Sequence, residues 1–164
     1  MTRTSTWLAL SIAALAAGCA AEYKPPPEGV ATAAITLSTT TYGGAEFTSI
    51  SGCPSPVRGE LARFPFTLSG ASMGESAKRS SPARLVAANR PLTVLASIAG
   101  TTCNWTATFT PKSGVDYEAV LHASNNRCQL SVYTVKPIAG GTPRLEPEGG
   151  AKYKLHKTVN DPCS

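Results

Sequence analysis

Cys103-Asn104-Trp105-Thr106-Ala107-Thr108-Phe109-Thr110 is the stretch that decides the fold. Cys103, Trp105, Ala107 and Phe109 fall on one side of an extended chain, with Asn104 and three threonines on the other. A period of two is the signature of a half-buried strand. Cys128-Gln129-Leu130-Ser131-Val132 repeats it, the cysteine again sharing a face with apolar residues. Both cysteines are therefore expected to point into one core. Around them, Val115 to Ala123 and Arg127 to Lys136 read as two strands. The Ser124-Asn125-Asn126 between them suits a hairpin, because Asn tolerates the left-handed conformation. Ala34 to Ser38 is a further β-prone run. Phe64, Phe66 and Leu68 alternate with Pro65 and Thr67, an edge strand by its proline. Arg84 to Ala88 and Pro91 to Ala99 are apolar runs joined by the turn-type tripeptide Asn89-Arg90-Pro91. No long stretch has a 3.6-residue period. About seven to nine short strands with frequent turn signals predict an all-β protein, an antiparallel β-sandwich.

The composition agrees. The 164 residues are one domain's worth, 42% hydrophobic and 15% charged, and 14 Gly with 13 Pro favour turns. That Gly and Pro share stays below the roughly 25–30% of a disordered low-complexity chain.

Residues 1–18 read as a secretion signal, with Arg3 as the only charge and an apolar run from Trp7 to Leu15. The run is shorter than the roughly 20 apolar residues a transmembrane helix needs. Leu15-Ala16-Ala17-Gly18-Cys19 resembles the lipobox of bacterial lipoprotein signal peptides, in which a branched apolar residue and small residues precede the cysteine. The resemblance implies a Gram-negative lipoprotein cleaved before Cys19, whose Cys19 carries the acyl chains, palmitate among them. Ala20, where an Asp would retain the protein in the inner membrane, implies an outer-membrane anchor facing the periplasm. The competing reading is an ordinary secreted protein cut near Ala20 or Ala21, with Cys19 discarded. Residues 19–32 would then be the lipidated cysteine and a proline-stiffened tether, Pro25 to Pro27 being consecutive, and 33–164 the β domain. Removal of 1–18 takes one cation from a net charge of +5, and the +4 left does not argue for nucleic acid.

With Cys19 assigned to lipid, Cys53, Cys103, Cys128 and Cys163 remain. An even number in an oxidising compartment implies two disulfides. Three pairings are open to four cysteines. Shared inward parity favours Cys103 with Cys128, which leaves Cys53 for Cys163. On a chain-entropy argument the two would stabilise by roughly 3 and 5 kcal/mol. A zinc site would want a close cysteine pair, which is absent, so neither metal nor cofactor is expected.

Phe109-Thr110-Pro111-Lys112-Ser113-Gly114-Val115-Asp116-Tyr117, followed by Cys128, resembles small uncharacterised proteobacterial lipoproteins carrying F-x-P-x-x-G-x-x-Y between two cysteines. The resemblance spans about Pro91 to Val135 and implies a transthyretin-like or immunoglobulin-like sandwich and no activity. Locally, Pro111 and Gly114 close a turn, and Phe109 and Tyr117 can face one core from successive strands.

Few residues offer chemistry. Gly70-Ala71-Ser72-Met73-Gly74 matches the nucleophile-elbow pattern, with Asp116 and His156 in the required order downstream, but the helices of such a fold are missing. His122 is expected at the surface. Lys152, Lys154 and His156 read as the solvated face of a strand whose cations discourage edge pairing, or as a patch for an anionic envelope polymer. Residues 58–90 hold Arg58, Arg63, Lys78, Arg79, Arg84 and Arg90 against Glu60 and Glu75. The Lys78-Arg79 pair sits in a long Gly70 to Pro82 loop that could meet an envelope protein or lipopolysaccharide. The Asn104-Trp105-Thr106 sequon is read as chance. The expected function is a non-enzymatic envelope lipoprotein, a binding or structural module, with an inhibitor or immunity protein as a sub-case. The alternative is a small periplasmic serine hydrolase using Ser72.

Overall fold

The computed structural model describes residues 21–41, 43–51, 57–66, 78–124 and 127–156. Cys19, Cys53, Cys163, Leu68 and Ser72 lie outside them. The fold is all-β: the described residues form twelve strands in two sheets. The strands are β1 (Ala21–Glu22), β2 (Thr32–Thr39), β3 (Ala45–Ser51), β4 (Val57–Phe64), β5 (Arg79–Ser80) and β6 (Arg84–Ala87), then β7 (Leu92–Ile98), β8 (Asn104–Phe109), β9 (Asp116–Ser124), β10 (Arg127–Lys136), β11 (Arg144–Pro147) and β12 (Lys152–Leu155). The first sheet has the order β1-β4-β3-β7-β8-β12. The second has β11-β10-β9-β2-β5, with β6 beside β5 along the same edge of β2.

The expectation of a purely antiparallel arrangement is corrected: β2 runs parallel to β9, and β1 parallel to β4. The reason is topological. A hairpin forces antiparallel pairing, whereas β2 and β9 are separated by the central strands of the other sheet, so their direction is free to match. The Asn89-Arg90-Pro91 tripeptide likewise makes no hairpin. It carries the chain from β6 in the second sheet to β7 in the first, with Asn89 at a φ of 59°. The β9–β10 hairpin is present in full register, Ser124 opposite Arg127 through Tyr117 opposite Thr134.

One core lies between the sheets. Phe47, Leu61, Val94 and Ala107 enter it from the first sheet, and Ile35, Leu37, Leu121, Leu130 and Val132 from the second. On β4 the register shifts opposite Phe47 and Thr48, leaving Leu61 as an extra residue. Such a bulge turns a side chain that alternation would put outside toward the core. Leu61 is fully buried. The Phe64-Phe66-Leu68 strand is corrected: β4 stops at Phe64, because Pro65 has no N–H to continue the ladder, and Phe66 is 62% exposed.

Cys103 and Cys128 are joined by a disulfide with Cα atoms 6.0 Å apart. Trp105 does face inward and packs against the core, although only half-buried. The other face of β8 is not a solvated one, however: Asn104 and Thr106 are buried, as are Leu95 in the adjoining β7 and Thr48 in β3 beyond it. Thr106 sits beside His156, whose Nε2 is 2.9 Å from Thr106 Oγ1 and whose backbone N–H donates to Asn104 O. His156 is therefore no solvated residue. Its two predecessors of the same parity, Lys152 and Lys154, are exposed on an edge strand, but His156 meets a hydroxyl partner and is buried.

The Pro111 to Gly114 turn joins the sheets. Gly114 takes a φ of 70°, a left-handed conformation that favours glycine. Phe109 and Tyr117 meet in the core at 5.2 Å between ring centroids, from opposite sheets. The Tyr117 hydroxyl accepts a hydrogen bond from Lys112 N–H at 2.9 Å, fastening the turn to the strand it precedes. Tyr117→Phe should therefore cost about 1–2 kcal/mol, the net worth of a partly buried hydrogen bond plus the stranded donor. Urea melting would read it, and an unchanged midpoint would mean that the turn holds itself.

Both sides between the sheets are strapped. On one, β11 and β12 pass from the edge of the second sheet to the edge of the first, and the Tyr153 hydroxyl accepts from Val132 N–H. On the other, Arg84 Nε donates to Leu61 O across the sheets. The proline-rich residues expected to be a stiff, extended tether begin seated: Tyr23 N–H donates to Glu60 O, and its ring packs against the core. This is possible because β4 has Gly59 there, where an added Cβ would stand 2.9 Å from Ser49 Oγ and 3.3 Å from the Tyr23 ring. Burial raises the Tyr23 pKa above its usual value.

Candidate binding groove

All strands run between two ends. Ala21, Val57, the β6–β7 connection and the β8–β9 connection share one of them. At the other, the β2–β3 connection, the end of β4, the β7–β8 connection and the β9–β10 hairpin surround a broad groove of about 2070 Å³ that continues over the outer face of the first sheet. That exceeds the roughly 300–1,000 Å³ of a small-molecule pocket and suits a polypeptide segment or polymer better.

The rim is built from hydroxyl and glycine chemistry. Thr39 Oγ1 donates to Leu121 O and accepts from Thr41 N–H, and Thr41 Oγ1 in turn accepts from Gly43 N–H. Thr101 Oγ1 caps the β7–β8 connection, donating to Ile98 O and accepting from Cys103 N–H. The disulfide ties this connection to the β9–β10 hairpin. Arg79 holds the remaining side: its guanidinium donates to Thr41 O, Gly43 O and Pro65 O and lies 5.6 Å over the Phe64 ring.

The lining mixes aromatic and aliphatic surface, Phe66, Trp105 and Leu155, with cations, Arg63 and Arg127. Arg63 is held by Glu46 and Glu60 at 3.4 and 2.6 Å. Two residues of the lining each carry a buried polar atom, Thr48 Oγ1 and Trp105 Nε1, that has no hydrogen-bond partner among the described residues. Orphans of this kind are rare in folded proteins.

Of the residues singled out from sequence, Cys103 and Cys128 are brought together, and His122 is exposed on the groove wall. Asp116 and His156 are kept apart. Asp116 starts β9 beside the Pro111 turn, whereas His156 bonds Asn104 at the far end of β8, five residues away. Five residues of strand span about 17 Å, so the two are not placed as the acid and base of a triad with Ser72. The cationic loop also reads differently. Arg79 is consumed by the rim, and Lys78 Nζ stands 2.5 Å from Glu118, whose carboxylate also accepts from the buried Ser38 hydroxyl. Sequence reasoning missed Glu118, because a carboxylate on a strand reads as solvated until the partners that compensate it are seen. Among the described residues, no group of three or more His, Cys, Asp and Glu is placed to hold a metal ion.

Comparison of the chain with protein-family models, with curated proteins and with solved structures finds no match.

Proposed function

We propose that the chain is a lipid-anchored, non-enzymatic binding module of a Gram-negative envelope, held in the outer membrane through Cys19 and facing the periplasm. The observation that carries this reading is the opening of the groove at the end of the body opposite Ala21, the described residue nearest the lipobox cysteine, from which it continues over the outer face of the first sheet as far as Arg58. An anchor at one end and a large, partly apolar recess at the other is the layout of a tethered receptor. Aromatic residues with arginine around a recess favour a protein partner, since these residue types dominate the energetic centres of protein interfaces. Inhibition of an incoming protein is a duty such a module could serve. An immunoglobulin-like type is favoured for the sandwich by the Tyr117 hydroxyl bonded back to the backbone at Lys112, the corner that a tyrosine makes in those domains. A hydrolase based on Ser72 has less support, because Asp116 and His156 stand at opposite ends of the body.

The anchor is tested by maturation. Cys19→Ala should block processing, and globomycin should arrest the wild-type precursor. Normal processing in the presence of that inhibitor would defeat the proposal.

A further inference from the structure

We infer that the end of the body carrying Ala21 is a lipid-facing surface that docks on anionic headgroups and points the groove away from the membrane; the inference rests on the lipid anchor proposed above. Cys19 precedes Ala21 by two residues, which reach at most about 7 Å. Ala21 is paired with Gly59 in a parallel bridge, which sets it beside the Val57 end of β4. The β6–β7 and β8–β9 connections are drawn together at that end by Asn89 N–H on Pro111 O, Gly114 N–H on Thr32 O fastens the second of them to β2, and the β10–β11 connection lies at the same end. That end presents Arg90, Lys112, Lys136, Arg144 and Lys152, all exposed, with Glu22, Glu28, Asp116 and Glu146 as the opposing acids, Glu146 standing 3.7 Å from Arg144. Val57 and Ile138, 68% and 51% exposed, lie at the same end. Basic side chains beside exposed aliphatics match a phospholipid surface, where each Lys or Arg within a Debye length of about 8 Å tightens association about five-fold. The short link between Cys19 and the seated Tyr23 leaves the body little freedom to turn another face down.

The test is lysine footprinting of the mature full-length protein in phosphatidylethanolamine vesicles with and without phosphatidylglycerol. Lys112 and Lys136 should lose reactivity several-fold in the anionic vesicles and recover it at high salt, while Lys154 on β12 stays reactive throughout. Vesicle-bound protein whose Lys112 and Lys136 react as readily as Lys154 would overturn the docking surface and leave the anchor standing. Absence of acyl mass on Cys19 would overturn the anchor, and the docking surface with it.

Discussion

Phe47→Ala should destabilise the protein by about 3–5 kcal/mol, the cost of deleting a fully buried aromatic and leaving a cavity that only partly collapses. Phe47 is 0% exposed and meets Phe64 edge-to-face at 5.9 Å, beside the bulge that turns Leu61 inward. Folded domains are stable by only about 5–15 kcal/mol, so this one substitution consumes a large share of the margin. Phe66→Ala is the control. At 62% exposure it loses little burial and should shift stability by about 0.5 kcal/mol or less. Denaturant melts of both variants with disulfides intact separate the outcomes, and equal small losses would mean that the core is not centred on Phe47.

The double replacement Cys103→Ala with Cys128→Ala should cost about 3–4 kcal/mol, from the entropy regained by a denatured chain no longer closed over a 25-residue separation. The same bond ties the β7–β8 connection to the β9–β10 hairpin, so its loss should loosen the groove wall before the core melts. Hydrogen exchange should show amides near Cys103 and Cys128 opening faster than those of β2. Non-reducing peptide mapping provides an independent check. A peptide linking Cys53 to Cys103 would remove the pairing and the energy assigned to it.

The period-two pattern from Cys103 to Phe109 was enough to establish a strand with an inward cysteine, because side chains alternate whatever lies around them. The same holds for β2, for the β9–β10 hairpin and for the turn at Pro111 and Gly114, whose chemistry is local. β3 was not legible: Thr48 and Ile50 on its outer side are buried as well as Ala45 and Phe47 on its inner side, so the polar contrast that reveals a strand is missing. His156 and Thr106 misled for a related reason. Parity says which face a residue occupies, but whether that face meets water depends on what the rest of the chain lays over it.

Sequence by itself determined the all-β class, the inward parity that lets Cys103 and Cys128 meet, and the lipobox resemblance at Cys19, since each is written in residues close together in the chain. Only the tertiary structure decided that β2 lies parallel to β9, that Arg79 is spent on the groove rim, that Asp116 and His156 stand apart, and that Tyr23 is seated beside Gly59. Each of those is a meeting or a separation of residues distant in sequence. Its geometry follows from how two sheets close over one core, which no local pattern encodes.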